Sequence, residues 1–595
     1  MGITSRLSDL RKLMAQNGLS AYIIVTDDFH GSEYVGDYFK AREFMSGFTG
    51  SAGTLVVMKD WAGLWTDGRY FLQAGEQLCG TGIELMKSGE PDVPAIPAFL
   101  EKHIGKGGRV GFDGRTVSGR FAKQLEEKLP AGNIELVWDL DLVDSVWSDR
   151  PGISKEPVWE LAASYAGLDR EEKLSRVRSI MKVKKADILI LTALDEIAWL
   201  LNLRGNDIRC TPVFLAYMLI SEDSADLYVH REIISDEIQA KLAASGVWLK
   251  EYDDIYGALG KIESGSRVLL DDNYANCRII KSLPENADVR KEQSPVIPMK
   301  AAKNPVEAEN IRRAHIKDGV AVTRFIRWLK RNVGGQCITE LGAAAQLEKF
   351  RSEMENYIGP SFEPIIGYGP HGAIVHYEAT KESDICMRPE SFCLTDTGGH
   401  YLEGTTDITR TIPLGKLTGE EKRAYTLVLK GHLNLAAAKF LYGVSGPNLD
   451  YLARRPLWEN GMDYNHGTGH GAGYLLNVHE GPQRIHWRAD GANLTAFEEG
   501  MVVSDEPGLY IEGRFGIRHE NLVMVRKGEK TEYGQFMYFE NLTMVPFDRD
   551  AIDVSLMSEK EKELLNDYHR KVFETISPWF EGEELEWLKN YTAPL

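Results

Sequence analysis

The sequence predicts two α/β domains in the first half of the chain and an α+β domain after them. A helical pattern over 6–14 leads into a strand pattern over 21–26, and a similar helix over 173–181 leads into a strand over 186–192. This repeat indicates two copies of one domain. The alternation of helix and strand favours a mostly parallel or mixed sheet with helices on its faces.

The last third of the chain has a different pattern. Helices and strands interleave there without a βαβ rhythm, so a mainly antiparallel sheet is expected. Asn304, Pro305 and Glu307 are typical of the N-cap, first and third positions of a long helix. Ser558 begins a further helix with a capping box. The other helical patterns cover 305–333, 339–357, 419–442 and 448–460.

Length and linker composition divide the chain into three parts. A chain of 595 residues is too long for one hydrophobic core, and about three domains are expected. Residues 148–157 have the Pro, Gly and charged residues of a linker, and prolines cluster again near residue 300. We therefore predict domains over 1–150, 151–300 and 301–595.

Composition excludes several classes of protein. The net charge of −19 argues against sequence-independent nucleic-acid binding, which needs clustered Lys and Arg. No apolar run approaches the roughly 20 residues that span a bilayer, and the N-terminal residues do not resemble a signal peptide. The six cysteines are scattered, without a C-x-x-C pair, which favours thiols in a reducing compartment over a disulfide framework. We expect a cytoplasmic protein with no nucleic-acid or membrane partner.

Two aspartates of the third domain lie in a predicted hairpin. Asp396 follows an apolar strand that begins at Ser391, and Asp407 lies in a β-branched stretch from Thr405. The glycine-rich segment between them is typical of a turn. Cross-strand neighbours lie about 5 Å apart, so both carboxylates can reach the same metal ions.

Two glutamates repeat this arrangement further along the chain. Glu506 follows one strand pattern, and Glu520 lies in the next. His470 lies between glycines in residues 466–471, where the backbone can approach a bulky group closely. A lone Asp in a hairpin usually belongs to a turn, and a lone His-Gly-x-Gly-His segment also fits an ordinary loop. The order Asp, Asp, His, Glu, Glu with these flanks favours a metal site.

Charge and ligand chemistry point to two divalent ions. Four converging carboxylates strongly raise one another's pKa values unless cations neutralise them. Four oxygen ligands and one nitrogen favour Mn²⁺ or Co²⁺, with Zn²⁺ as a less favoured alternative. Two such ions about 3.5–4 Å apart can share one water molecule and lower its pKa. The sequence therefore predicts a two-metal hydrolase site.

Taken together, the motifs resemble the pita-bread metallopeptidases, and more closely the three-domain cytosolic Xaa-Pro aminopeptidases (aminopeptidase P). The resemblance covers nearly the whole chain. It implies two creatinase-like α/β domains before a pita-bread catalytic domain. Besides the metal-site segments, the residues that carry it are 46–54, 65–73, 192–200 and 313–318.

The family pattern assigns the metal ligands. It implies that Asp407 and Glu520 bridge a pair of ions, most often Mn²⁺. The full implied set is Asp396, Asp407, His470, Glu506 and Glu520.

The same pattern implies residues that contact substrate, His470 among them. His376 matches a histidine that stabilises the tetrahedral intermediate, and His479 matches one that contacts substrate near the scissile bond. His466 matches a histidine lining the proline side. Arg69 matches an arginine of the N-terminal domain that reaches substrate, although its Asp-Gly context also fits a simple turn after a strand.

The implied reaction releases the N-terminal residue from peptides with proline at the second position. A hydroxide bridging the ions would attack the carbonyl before proline. Glu506 would accept the water proton and pass it to the proline nitrogen, and His376 would help to stabilise the oxyanion.

Other interpretations stay open at this stage. A prolidase would use the same ligands but accept only dipeptides, and a methionine aminopeptidase would leave two domains unexplained. A non-catalytic pita-bread module that binds a protein partner would be expected to lose metal ligands. The family implies a homodimer through the C-terminal domain, with Trp458 matching a contact residue. His519 precedes Glu520 on a strand, so it should point away from the ions.

Overall fold

The chain forms two compact units in a computed structural model. The first comprises residues up to 163 together with 168–296, and the second comprises 164–167 with 297–595. Within the described part of the chain, no helix combines the length and apolarity that crossing a membrane requires. The predicted division into three at residues 150 and 300 stays a prediction. The residues that the structure describes are 2–129, 133–489 and 491–595.

The first unit contains two six-stranded sheets. The first sheet consists of β1 (Ala21–Val25), β2 (Thr54–Met58), β3 (Ala62–Thr66), β4 (Glu84–Lys87), β5 (Arg109–Phe112) and β6 (Glu135–Val137). The second consists of β8 (Ile188–Leu191), β10 (Ala216–Ile220), β11 (Ala225–Val229), β12 (Val247–Glu251), β13 (Arg267–Leu270) and β14 (Asp288–Lys291), and the short β7 (Trp159–Glu160) pairs with β9 (Leu203–Arg204).

The two sheets have the same topology. Their strand orders are β4-β3-β2-β1-β5-β6 and β12-β11-β10-β8-β13-β14. In each, the strand that was predicted from sequence has an antiparallel neighbour on one side and a parallel neighbour on the other. The predicted repeat of a mixed-sheet α/β fold is therefore confirmed.

Helices cover these sheets. The first of them buries Leu7, Leu10 and Met14 against the first sheet, and this spacing of three and four residues places the three side chains on one helical face. The helices described before residue 296 are α1 (Ile3–Gln16), α2 (Ala41–Ser46), α3 (Phe71–Gln77), α4 (Ile96–His103), α5 (Gly119–Lys128), α6 (Leu142–Val146), α7 (Ala163–Ala166), α8 (Arg170–Lys184), α9 (Leu194–Leu201), α10 (Asp236–Ala244), α11 (Ile255–Leu259) and α12 (Cys277–Lys281).

The second unit combines small antiparallel sheets with long helices. Its helices are α13 (Val296–Ala301), α14 (Pro305–Asn332), α15 (Glu340–Ser352), α16 (Gly419–Ala436), α17 (Gly446–Trp458), α18 (Glu559–Ile576) and α19 (Gly582–Tyr591). Its strands are β15 (Tyr357–Pro360), β16 (Ile365–Tyr368), β17 (Phe392–Thr397), β18 (Gly399–Tyr401), β19 (Gly404–Thr405), β20 (Ile408–Pro413), β21 (Lys439–Leu441), β22 (Gly469–His470), β23 (Arg484–Ile485), β24 (Val502–Asp505), β25 (Gly508–Ile511), β26 (Phe515–Arg518), β27 (Asn521–Thr531) and β28 (Gly534–Asn541).

Two of these sheets position the carboxylates of the candidate site. The sheet β16-β17-β20 packs its apolar face under α14 and α15, with Phe325 and Leu347 against Cys393 and Ile412. The sheet β21-β28-β27-β24 has its own core, in which Val523 is buried. All pairings within both sheets are antiparallel, as predicted.

The predicted starts of the C-terminal helices agree closely with the structure, but two predicted helix ends do not. Asn304 and Glu307 form a capping box before α14, with Pro305 at its first position, and Ser558 forms one before α18. The prediction of helix over 339–357 is wrong at its end, because α15 stops at Ser352 and Tyr357 begins β15, which pairs with β18. The prediction of helix over 419–442 is also wrong at its end, because α16 stops at Ala436 and β21 follows. Phe440 is buried there beside Phe539, and this contact with β28 favours the strand.

The prediction that all cysteines are separate thiols is wrong for one pair. Cys337 and Cys386 form a disulfide across a sequence separation of 49 residues. The turn before α15 and the segment before β17 lie side by side, because the Met387 amide donates to the Ile338 carbonyl at 2.8 Å. Spacing along the sequence cannot show this proximity, since the intervening residues form their own elements.

Candidate metal centre and active site

Asp396 and Asp407 lie at the same end of two paired strands. β17 and β20 are antiparallel, with Asp396 opposite Thr409, so Asp407 comes immediately before the strand that pairs with Asp396. Both carboxylates are buried. The predicted hairpin geometry is therefore present, with β18 and β19 forming the connection between its arms.

Glu506 and Glu520 lie just beyond a second antiparallel pair. β24 and β27 pair so that Asp505 faces Asn521, which leaves each glutamate one residue outside the ladder. Thr409 joins this pair to the first one. Its hydroxyl donates to Glu520 Oε2 at 2.8 Å, and its carbonyl accepts from the Glu520 amide at 3.1 Å. The two strand pairs thus present their carboxylates to a common space.

His470 completes the cluster from β22. Its Nε2 lies 3.4 Å from Asp407 Oδ2 and 3.4 Å from Glu506 Oε1. Its Nδ1 donates to the Gly471 carbonyl at 3.0 Å, an arrangement that leaves Nε2 as the ligating atom of the neutral ring. Ser504 holds the neighbours in place: its Oγ accepts from the His470 amide at 2.9 Å and donates to Glu506 Oε1 at 3.1 Å.

The electrostatics of the cluster favour bound cations. Burial, together with the nearby Asp407, raises the pKa of Glu520 well above its usual value and that of Asp396 to about 6. Burial lowers the pKa of His470, but Asp407 and Glu506 outweigh this and raise it to about 9. The raised pKa values of the two carboxyl groups reflect burial together with the negative charge of neighbouring carboxylates, which bound cations would offset.

Ligand geometry is consistent with this. Ligand atoms of Asp407, His470 and Glu520 all lie within 4.8 Å of one another. Asp396 Oδ1 and Glu520 Oε1 are buried and have no hydrogen-bond partner, although buried acceptors are almost always satisfied. An oxygen-rich set with one imidazole suits hard or borderline divalent ions. The residues present therefore fit the predicted metal site.

Arg518 and Tyr510 are site residues that sequence reasoning missed. Arg518 Nη2 donates to Asp396 Oδ2 at 2.5 Å, and its Nη1 donates to Tyr510 Oη at 2.7 Å. Tyr510 Oη lies 2.8 Å from His466 Nε2, while His466 Nδ1 donates to the Gly467 carbonyl at 2.7 Å. Because Nδ1 carries the proton of the neutral ring, Tyr510 must donate to Nε2. A continuous chain of donors thus connects His466 to Asp396.

A signal for Arg518 was present in the sequence. Side chains two residues apart on a strand share a face, whereas adjacent side chains point to opposite faces. Arg518 is therefore expected on the same face as Glu520, and His519 on the opposite one. His519 is indeed buried elsewhere, edge-on to Tyr425 with ring centroids 4.3 Å apart. Burial, together with Arg410, lowers the pKa of His519 well below its usual value.

The other predicted histidines lie around this centre. The ring of His479 stands edge-on to that of His470, with centroids 4.2 Å apart. His376 is half-buried in the turn after β16, and the preceding carbonyl, of Val375, accepts from Arg518 Nη2 at 3.3 Å. Their predicted contacts with substrate stay predictions.

Arg69 lies in the first unit, in an acidic setting. Its guanidinium donates to both carboxylate oxygens of Asp67 at 2.9 Å and to Glu33 at 3.3 Å. The Asp-Gly turn expected from the sequence follows β3. Its role towards substrate stays a prediction.

Known proteins share this architecture along the whole chain. A family model described as metallopeptidase family M24 matches residues 309–527, and one for the C-terminal region of peptidase M24 matches 535–595. Two models described as creatinase/prolidase N-terminal domains match residues 6–141 and 149–307.

Curated relatives align over their own length as well. A probable Xaa-Pro aminopeptidase P of Laccaria bicolor is 40% identical, covering 100% of this chain and 94% of the relative. The chain belongs to metallopeptidase family M24. Another relative, aminopeptidase P2 of Arabidopsis thaliana, is 39% identical over 100% of this chain and 89% of its own.

Solved structures agree with the fold. The X-prolyl aminopeptidase of Caenorhabditis elegans, described as a cytosolic enzyme with a di-nuclear active site, matches with a TM-score of 0.95 at 33% identity over 100% of both chains. An Xaa-Pro dipeptidase from Bacillus anthracis matches 64% of this chain with a TM-score of 0.51 at 22% identity, which shows the fold alone. The predicted creatinase-like and pita-bread fold is confirmed.

Proposed function

We propose that this M24 protein is a metal-dependent aminopeptidase that removes the N-terminal residue from peptides with proline at the second position. The observation that carries the proposal is the cluster of ligand atoms from Asp407, His470 and Glu520. This cluster lies in a chain that matches, over its whole length, an X-prolyl aminopeptidase described as having a di-nuclear active site. The reaction is hydrolysis of the bond before proline.

Two divalent ions would be held by four carboxylates and one imidazole. Mn²⁺ is the preferred candidate, with Co²⁺ or Zn²⁺ as alternatives, because the donors are mostly oxygen. When bound, such a pair lowers the pKa of a water molecule towards neutrality and so supplies a nucleophile. The proposed ligands are Asp396, Asp407, His470, Glu506 and Glu520.

Glu506 is the proposed proton carrier. Ser504 donates to its Oε1, which leaves Oε2 available to accept a proton from water and to deliver it to the proline nitrogen. Burial raises the pKa of Glu506 from its ordinary value, and a carboxyl of raised pKa transfers protons more effectively near neutral pH. His376 is proposed to donate to the oxyanion, and His479 to contact the substrate near the scissile bond.

The proline preference follows from what the pocket can donate and accept. The Xaa-Pro bond is a tertiary amide, so its nitrogen brings no N–H that needs an acceptor. The Nε2 acceptor of His466 is already occupied by Tyr510, so this ring offers a proline substrate mainly apolar surface. A substrate with an amide N–H at that position would bury an unpaired donor. Arg69 is proposed as a further substrate contact.

We also propose a cytoplasmic homodimer that forms through the C-terminal domain. Trp458 on α17 is 41% exposed, and its ring lies 5.9 Å from that of Tyr451, which is 51% exposed. Adjacent exposed aromatic residues are typical of interaction surfaces. Sedimentation velocity tests this, and a monomer at micromolar concentration would exclude it.

The function is tested by metal-dependent cleavage of matched tripeptides. Chelation should abolish cleavage of Arg-Pro-Pro, and Mn²⁺ should restore it. Arg-Ala-Ala should be cleaved at least about 100-fold less efficiently, because it leaves an amide donor unpaired in the pocket. Equal cleavage of both peptides would contradict the proline claim. A protein that cleaved Gly-Pro but not Gly-Pro-Gly-Gly would be a prolidase, and metal binding without any cleavage would indicate a binding module.

His376→Ala tests the oxyanion assignment. Loss of one donor to the oxyanion typically lowers kcat by about 10²–10³-fold, and we expect a loss of this size with unchanged metal content. The measurement is steady-state kinetics on Arg-Pro-Pro beside elemental analysis of the same sample. A variant that lost metal would show that His376 supports the ions instead.

A further inference from the structure

A buried ion triad lies directly beside the candidate site. Glu480 Oε1 accepts from Lys303 Nζ at 2.7 Å, and Glu480 Oε2 pairs with Lys300 Nζ at 2.8 Å. The three side chains are almost inaccessible, with exposed fractions of 1% for Glu480, 0% for Lys303 and 3% for Lys300. Burial raises the pKa of Glu480, but the two lysines outweigh this and lower it below its usual value. The carboxylate is therefore ionised between two buried ammonium groups.

Stability alone does not account for this triad. Transfer of three charges out of water is costly, and their attraction restores only part of that cost. Well-packed apolar side chains of similar volume are often equally or more stable in such places. A buried triad with a net positive charge therefore calls for another role, and a role in fixing geometry is one of those attested for buried ions.

The backbone of Glu480 is fixed against the strand that carries His470. The Glu480 amide donates to the Gly471 carbonyl at 2.6 Å. A Cβ added at Gly471 would lie 2.0 Å from the Glu480 carbonyl oxygen, so the two backbones are in direct contact. Glu480 thus follows His479 directly in the sequence, and its backbone contacts that of Gly471, the residue after His470.

The lysines connect this loop to β24, at whose end Glu506 lies. The Lys303 amide donates to the Gly500 carbonyl at 3.0 Å, and Ala302 forms a β-bridge with Met501. The carboxylate of Glu480 therefore joins the loop that contains His479 and Glu480 to residues 300–303, and these residues are themselves held at the start of β24. These contacts all lie within the second unit.

We propose that the Lys300–Glu480–Lys303 triad is a positioning device that holds the His479 ring against His470. This inference rests on the proposed function, because it is through His479 that the triad would act on the reaction. Glu480 does not itself touch the substrate. Instead, it fixes the loop, and the loop fixes the ring that contacts the peptide near the scissile bond.

A double-mutant cycle tests this role. Glu480→Gln should lower kcat for Arg-Pro-Pro by about 10–100-fold, because a displacement of about 1 Å at a reacting group can cost that much. KM and metal content should change little. If Glu480 acts through His479, Glu480→Gln combined with His479→Ala should lose no more than His479→Ala alone, within about twofold. The matched controls Glu559→Gln and Lys562→Met, which alter an exposed ion pair on α18, should leave kcat unchanged.

Lys300→Met provides a second cycle that retains the Glu480–Lys303 pair. If Glu480→Gln does not fold, the Lys300→Met cycle tests the inference instead. Lys300→Met should lower kcat less than Glu480→Gln, and this loss should also disappear when His479→Ala is present. If, in both cycles, the double variant lost kcat by the product of the two single losses, the inference would be overturned. The triad would then be a structural element only. Absence of Arg-Pro-Pro cleavage by the wild-type protein would overturn the proposed function, and this inference with it.

Discussion

Asp407→Asn is expected to abolish peptidase activity and metal binding together. Asp407 contributes to the raised pKa values of Asp396, Glu506 and Glu520, and it lies 3.4 Å from His470, so it occupies the centre of the cluster. The neutral amide keeps the size of the side chain but removes the charge that a shared ligand supplies. Loss of several kcal/mol of transition-state stabilisation corresponds to roughly 10³-fold or more in kcat.

The measurement is kcat/KM on Arg-Pro-Pro with metal content from elemental analysis. A folding defect can be recognised in chelated samples. There the variant should unfold at a temperature equal to or above that of the wild-type protein, because one of several mutually repelling carboxylates is gone. Asp567→Asn, at an exposed residue of α18 paired with Arg570, is the matched control and should change neither quantity. A variant with full metal content and normal turnover would contradict the proposed ligand set.

The four predicted carboxylate ligands share one property. Asp396 lies within β17, and Asp407, Glu506 and Glu520 each lie one residue outside a strand. Strands are local elements with a clear period. Pairing of neighbouring strands along the chain then brings their ends together. The repeat in the first half was visible for the same reason, because each copy has its own helix-to-strand pattern. Local period and short connections therefore determine much of this fold.

Features that depend on distant contacts were not predictable. Lys303 meets Glu480 across a sequence separation of 177 residues, and no local pattern marks a lysine as buried. Cys337 and Cys386 pair only because the start of α15 and the segment before β17 lie side by side. Residues 439–442 continue a helical pattern, yet Phe440 is stabilised by β28. In each case the deciding partner belongs to an element that folds elsewhere in the sequence.

Arg518→Met is expected to have the second largest effect. Arg518 is buried and donates to Asp396 and Tyr510, so methionine would leave Asp396 Oδ2 buried without its cationic partner. Removal of one partner from a buried ion pair typically costs about 3–5 kcal/mol of stability. We expect a comparable fall in the free energy of unfolding, and a loss in kcat/KM because Asp396 and Tyr510 are no longer held.

Arg514→Met separates this effect from a general loss of arginine on the same hairpin. Arg514 is exposed and pairs with Glu420, and an exposed pair contributes only about 0–1 kcal/mol. The free energy of unfolding, measured with denaturant, and kcat/KM should therefore fall in Arg518→Met but stay close to the wild-type values in Arg514→Met. Arg518→Lys is informative as well, because lysine keeps the charge but cannot donate to Asp396 and Tyr510 from two nitrogens at once. If Arg518→Lys behaved like the wild-type protein, the charge alone would be sufficient, and the donor chain from His466 to Asp396 would have no function in catalysis.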